Sequence, residues 1–364
     1  MVEQWFNSIA EAILCNHHLV VGSTSPSDGT KSESAYEVLE LEFYLWMEGS
    51  HRDPFTHGSE EQRISGQWYF HRAPQFSMDS HRNMTSGTMY RSGSRKGLDL
   101  TIGRPLSENS STITPLNDIP NPMSASEPDI RGGILLRSLR RVSDGKVICG
   151  PSLLVDEILQ SSNSDSIPDL VTSKWNGDIN AFRSEGGPTF LCFRPRFDQK
   201  RAQSPGALPP TVYSSPRIGL DLSHPGTTVS KDHPRLLFLS KRYRFFTHPE
   251  LLEKGRPQTF IGILHFCLRN GHTLRATAGK NGGTIDSFFG KSGHNGKLRS
   301  EVMKIMCVKE ATVEKYFTEY FAGLDKGVMK LYIGAAGKGA STSPATYLRM
   351  VGALERFLDN VVSS

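Results

Sequence analysis

Along the chain, apolar runs with helical spacing, short β-prone runs and long polar stretches follow one another in a readable order. Residues 2–17 put Trp5, Phe6, Ile9, Ala12 and Ile13 on one stripe, which predicts an amphipathic helix. Residues 36–47 read as a strand; a polar loop containing histidine follows, then a second aromatic strand, Trp68-Tyr69-Phe70. Residues 73–86 are polar and expected to be irregular, and 97–103 return to strand character. The stretch 104–130 is rich in Ser, Pro and Asn and reads as a disordered insertion. A strand is expected at Ile134 to Leu139. Gly150-Pro151-Ser152 then opens a helix reaching about Leu159, because Pro fits a first turn and Ser or Gly can cap it. Residues 197–215 form a Pro-rich loop, and strands are expected at Arg217 to Leu222 and Arg235 to Phe246.

From about Pro249 the period changes. Val313, Tyr316, Phe317 and Tyr320, and later Leu348, Val351, Phe357 and Leu358, recur at helical spacing, with Gly-rich connections at 279–296 and 334–341. The pattern contains no internal repeat. It predicts an α+β chain, with a β-rich domain over residues 1–248 that carries the insertion, and a mainly helical extension over 249–364.

Two of the strand-like runs carry charge where a sheet interior should carry none. Glu40-Leu41-Glu42-Phe43-Tyr44 holds two carboxylates, and Gly132-Gly133-Ile134-Leu135-Leu136-Arg137 ends in a guanidinium. Burying an unpaired charge costs several kcal/mol, so such groups find each other or a ligand. The bland reading is a structural ion pair; the sharper one is a hydrolytic site.

Composition narrows the class without choosing a function. With 37% apolar and 22% charged residues among 364, the chain is globular rather than disordered. A net charge of +5 and a pI near 8.9 permit a nucleic-acid partner without requiring one. Five single, scattered cysteines form neither a zinc knuckle nor a disulfide framework and point to a reducing compartment. No apolar run reaches membrane-spanning length, and the start of the chain is a poor signal peptide, so an intracellular protein is expected. His51, His57, His71 and His81 fit no standard metal spacing. Gly290-Lys291-Ser292 ends like a Walker A loop but has Ile285 where the first Gly belongs, and Gly337-Lys338-Gly339 lacks the magnesium-binding hydroxyl.

The runs also resemble, in order, motifs of the alkyladenine (3-methyladenine) DNA glycosylases over roughly residues 36–247. Glu40-Leu41-Glu42-Phe43-Tyr44 is similar to the family's Glu-Thr-Glu-Ala-Tyr. Phe55-Thr56-His57-Gly58 falls where the family has a histidine in a short turn, and Gly87-Thr88-Met89-Tyr90 is similar to Gly-Thr-Leu-Tyr. Leu98-Asp99-Leu100 stands near its Met-Asn-Ile, Ile134-Leu135-Leu136-Arg137 near Val-Leu-Leu-Arg, and Cys149-Gly150-Pro151-Ser152 near Asn-Gly-Pro-Ser. Ser215-Pro216-Arg217-Ile218-Gly219 and Pro234-Arg235-Leu236-Leu237-Phe238 close the series. Two departures matter: Arg91-Ser92-Gly93-Ser94-Arg95-Lys96 has no ring where the family carries duplex-wedging aromatics, and Leu153 replaces a lysine.

The resemblance implies a mixed, mostly antiparallel β core with flanking helices and an N-glycosidic hydrolase, akin to base-excision repair enzymes. Glu42 would activate the attacking water and stabilise the sugar cation, and Arg137 would hold Glu42 ionised. The Ile218 carbonyl would complete the water site. Tyr44, two residues past Glu42 and so on the same strand face, would stack on a base, unless it only packs the core. His57 would contact base or phosphate, and Asp99, an acceptor where the family has an amide, would shift substrate preference. Arg95 and Lys96, with Lys241 and Arg242 beside Tyr243 to Phe246, are candidates for contact with a nucleic-acid backbone, although basic residues equally protect a sheet edge. Neither a metal nor an organic cofactor is implied. The expected partner is DNA or RNA, single strands included, or a free modified nucleoside, in the nucleus or the cytoplasm; the helical extension is a candidate protein-binding segment. The rival expectation is a non-catalytic nucleic-acid or nucleotide binding module on the same fold.

Overall fold

The computed structural model describes residues 2–24, 29–72, 90–104, 129–182, 189–196, 209–270 and 294–359. All of the 73–86 stretch, nearly all of 104–130, Gly87-Thr88-Met89, the Pro-rich 197–208 and Gly290-Lys291-Ser292 fall outside them. The chain is mixed α+β, with a mostly antiparallel open sheet and several helices. It divides into two compact units, Glu11–Ala207 and Met1–Ala10 together with Leu208–Ser364. That division differs from the boundary at 248 read from the sequence.

The amphipathic N-terminus forms α1 (Val2–Glu11), which continues as a π-helical turn over Ala12–Asn16. Glu11–Ala207 is built on strands β1 (His17–Thr24), β2 (Lys31–Met47), β3 (His51–Arg52), β4 (Trp68–Phe70), β5 (Leu98–Thr101), β6 (Ile130–Arg141), β7 (Val147–Cys149) and β8 (Thr189–Pro195), with α2 (Pro151–Ser161) after β7. Six of these strands run in the order β4-β5-β6-β2-β1-β8, with β3 added to β2 and β7 to β6. Every named pair among them is antiparallel. The central pair, β2 and β6, is apolar over long runs because both its faces are covered. Leu39, Leu41, Phe43, Leu45, Ile134, Leu136 and Leu139 are all buried. α2 starts as its sequence predicts: Gly150 sits at the N-cap with φ 114°, a conformation open to glycine, and Pro151 takes the first helical position.

In the second unit, β9 (Tyr213–Ser215) pairs antiparallel with β10 (Arg244–Phe246). After a short helix α3 (Pro234–Leu239), helices α4 (Arg256–Arg269), α5 (His294–Met306), α6 (Glu310–Lys326) and α7 (Pro344–Asp359) make the helical part expected beyond Pro249. α6 and α7 meet at glycines. A Cβ on Gly323 would stand 2.2 Å from the Arg349 carbonyl oxygen, and one on Gly352 would stand 2.3 Å from that of Tyr320. Any side chain at either position would force the helices apart.

Two expected strands are not formed. Arg235 to Leu239 is helical, because Pro234 presets the first turn and the His233 ring nitrogen accepts the Arg235 N–H at 3.2 Å, leaving a strand only at Arg244–Phe246. Arg217 to Leu222 is a turn around Gly219, whose φ of 80° no strand accommodates; Leu222 alone makes a bridge, to Ile333. Among the described residues no helix is long and apolar enough to cross a membrane.

Candidate functional site

The charges embedded in β2 and β6 meet. Arg137 donates from Nε to Glu40 Oε1 at 3.2 Å and from Nη1 to Glu42 Oε2 at 3.3 Å, and the two carboxylate side chains are 1% and 0% exposed. The Tyr44 hydroxyl donates to the same Glu42 oxygen at 2.9 Å, and the Ser138 hydroxyl donates to Glu40 Oε2 at 2.5 Å.

Register explains how one guanidinium reaches both acids. Val38 faces Leu139, Glu40 faces Ser138 and Leu41 faces Leu136, so two successive bulges leave Leu39 and Arg137 without cross-strand counterparts. A bulge re-aims the side chain that it releases. Released from β2, the Arg137 backbone carbonyl instead accepts the Gly150 N–H at 2.8 Å, which ties the bulge to the start of α2. Burial alone would depress the Arg137 pKa, but Glu42 and then Glu40 outweigh it and hold the guanidinium above its ordinary value, fully charged. Two buried carboxylates thus share one guanidinium.

A second polar cluster lies in the same transverse row of the sheet. Tyr69 faces Asp99, Asp99 faces Leu135, and Leu135 faces Glu42, so these side chains share one face. Asp99 is 2% exposed and held at both oxygens: His71 Nε2 is 2.9 Å from Oδ1, and the Gln62 amide donates to Oδ2 at 3.2 Å. The row also needs Gly133, which faces Thr101 on β5 and Tyr44 on β2, since a Cβ there would stand 2.7 Å from Asp99 Oδ2.

His57 joins this cluster from the loop after β3. The Asp53 carboxylate accepts the Phe55 N–H at 3.1 Å, and Arg131 donates to the Gly58 carbonyl at 2.6 Å, which fixes the loop on both sides of the histidine. The His57 ring is exposed and lies 5.0 Å, edge to face, from that of His71. Its partial desolvation, then His71 and Arg91, hold its pKa below the ordinary value against the opposing pull of Asp99.

The structure therefore brings Glu42, Arg137 and Tyr44 into contact and sets Asp99 on the same face, with the His57 ring against the His71 that binds Asp99. Ile218 belongs to the other unit, in the turn around Gly219. Of the basic candidates in the first unit, Lys96 is paired with Asp156, while Arg95 is exposed and forms no ion pair among the described residues. Lys241 and Arg242, in the second unit, lie between α3 and β10 rather than on a strand. Sequence reasoning missed Gln62 and Ser138 and weighed His71 only as a metal ligand. His71 had a signal, because it follows Tyr69 by two residues and so continues that residue's face beyond the end of β4. Among the described residues no three His, Cys, Asp or Glu side chains gather in a metal-holding group.

No family model matches the chain, and no solved structure matches it. It is 28% identical over 218 residues to Uncharacterized protein L759 of Acanthamoeba polyphaga mimivirus, a stretch covering 60% of this chain and 79% of that one.

Proposed function

We propose that the Glu40–Arg137–Glu42 site hydrolyses the N-glycosidic bond of a modified purine nucleotide or nucleoside, on a fold like that of the alkyladenine glycosylases. The observation that carries this reading is the buried cluster of two carboxylates sharing one guanidinium. Cleavage passes through a sugar cation. A carboxylate fixed before the substrate arrives favours that transition state over the neutral ground state. Glu42 is the base for the attacking water and the counter-charge for the cation. Arg137 keeps it ionised, while Glu40, pinned by Ser138, holds the other arm of the guanidinium. Tyr44 steadies the Glu42 oxygen to which it donates. Asp99 and His57, across Leu135, supply acceptor and imidazole groups for the edge of a planar base. The ordered motif resemblance supports the same assignment, and the missing wedge aromatics shift the expected substrate from intact duplex toward single strands or free nucleosides.

One observation favours the rival reading, a non-catalytic nucleotide-binding module: the Glu42 side chain has no exposed surface to offer a water. A single variant separates the two. Wild type and Glu42→Gln are assayed for base release from alkylated and deaminated duplex DNA, single-stranded DNA, RNA and free nucleosides. The hydrolase reading expects release by wild type and a loss of at least about a hundredfold in the variant, with ligand binding retained. Binding without release by wild type establishes the module.

A further inference from the structure

We infer that the unit formed by residues 1–10 and 208–364 carries a separate binding cleft for an organic phosphate of about mononucleotide size. The cleft has a volume of about 530 Å³, within the range of small-ligand sites. Its charge is lopsided: Lys231, Lys241, Arg242 and Arg269 line it against only Glu3 and Asp232. Glu3 is already committed, 3.0 Å from Lys241. Arg242 and Arg269 form no ion pair or hydrogen bond among the described residues, and Arg242 is half-buried. A partly desolvated guanidinium without an acid is a standing cost that an anion relieves. Arg242, with the exposed Arg269 lining the same cleft, suits a phosphate, whose oxygens accept a planar fork of N–H donors two at a time.

The walls are rigid rather than adaptable. Tyr243 and Phe245 reach the cleft from the start of β10 and are otherwise buried, and the Tyr243 ring stands edge-on to Phe6 of α1 at 4.9 Å. The cleft thus sets a basic lining over a buried aromatic floor, in a volume larger than a bare inorganic ion needs. That combination fits a phosphate carried on an organic group better than a bare inorganic ion. This inference does not depend on what Glu42 does.

The test is isothermal titration calorimetry on the full chain with three probes: inorganic phosphate, a purine mononucleotide, and a single-stranded oligonucleotide. Each is titrated at low and at high salt. The mononucleotide should bind more tightly than phosphate, and the affinity should fall with salt. Arg242→Gln and Arg269→Gln should each weaken it by about tenfold or more. Asp232→Asn, which removes an exposed opposing charge and cannot be mistaken for unfolding, should tighten it roughly threefold. Tight oligonucleotide binding with the same variant pattern assigns the phosphates to a nucleic-acid backbone. Absence of binding to all three probes, or affinities unmoved by both arginine variants and by Asp232→Asn, overturns the inference.

Discussion

Replacing Arg137 by Met is the sharpest perturbation of the buried cluster. It keeps an unbranched apolar stem of similar length and removes only the charge shared by Glu40 and Glu42. Each contact, at 3.2 and 3.3 Å, corresponds to about 5 kcal/mol of Coulomb attraction at an effective dielectric of about 20. Desolvation offsets much of this in the intact cluster, but deleting one partner leaves two buried, unbalanced carboxylates, which typically costs about 3–5 kcal/mol. That is a large share of the 5–15 kcal/mol stability of a typical domain. The loss should also depend on pH with a defined sign. Without the guanidinium, burial and mutual repulsion raise both carboxylate pKa values above their unfolded values, so the folded variant binds the extra protons. Its deficit against wild type is therefore greatest near pH 8 and shrinks as pH falls toward 5. Urea unfolding followed by tryptophan fluorescence reads this directly, since Trp46, Trp68 and Trp175 all lie in the unit that holds the cluster. A triple variant, Glu40→Gln, Glu42→Gln and Arg137→Met, should recover part of the loss and all of the pH independence. An Arg137→Met variant within about 1 kcal/mol of wild type at pH 8 would show that the cluster is not a buried, charged unit.

Gly133→Ala should cost about 1–3 kcal/mol, because its Cβ would sit 2.7 Å from Asp99 Oδ2 and 2.9 Å from Gln62 Nε2; a thermal melt within the error of wild type would show that the two side chains move aside freely. The buried Glu157 accepts from Tyr36, Arg141 and Lys146, and although burial pushes its carboxyl up, these bonds outweigh it and hold the pKa below the ordinary 4.5. Its contribution is then complete above pH 4.5 and lost as pH falls through the lower folded value. Glu157→Gln should narrow the stability gap between pH 6 and pH 3, and an unchanged acid limb in urea melts would contradict the assignment. Cys307 is exposed and the other four cysteines are buried, with the Cys267 thiol pushed up to about 11. A disulfide exchange reagent should label one thiol quickly in the native state and all five in denaturant; rapid native labelling of more than one would contradict that burial.

The acid–arginine contact was legible because charge inside an apolar, β-prone run is a conflict that folding must resolve, and Glu40, Glu42 and Arg137 were the clearest such conflicts. The means of resolution was not legible. Two compensating bulges shift the register at Leu39 and at Arg137 and then restore it, so the apolar pattern on either side reads as one uninterrupted strand. β1 was hidden for a related reason: its apolar core is only Leu19-Val20-Val21, set directly against the end of a helix. β8, with Phe190-Leu191-Cys192-Phe193 as its core, carried a usable signal. The helix at Pro234 was misread because Leu-Leu-Phe-Leu serves a short buried helix as well as a strand. There the proline and the preceding histidine cap decide, not the apolar period.

The second half of the site depends on pairing across three strands, which no local pattern reports. Asp99 looks like an ordinary strand residue until β5 is set beside β6, and Glu42 is linked to it only because both oppose Leu135. Two strand spacings of about 4.8 Å place the two acids roughly 10 Å apart at the backbone, with Leu135 between them and Gly133 two residues along. The floor between the acids is therefore apolar on one pleat and empty of side chain on the next. On the proposed reading, this division lets one ligand be handled by two different chemistries. The cluster around Arg137 meets the end where positive charge develops, and the Asp99, His71 and Gln62 group meets the end where hydrogen bonds discriminate. Enlarging Gly133 therefore bears on more than stability: Gly133→Ala should disturb discrimination at the Asp99 end while leaving the Glu42–Arg137 contact in place. A loss that fell equally on every substrate would argue against that division of labour.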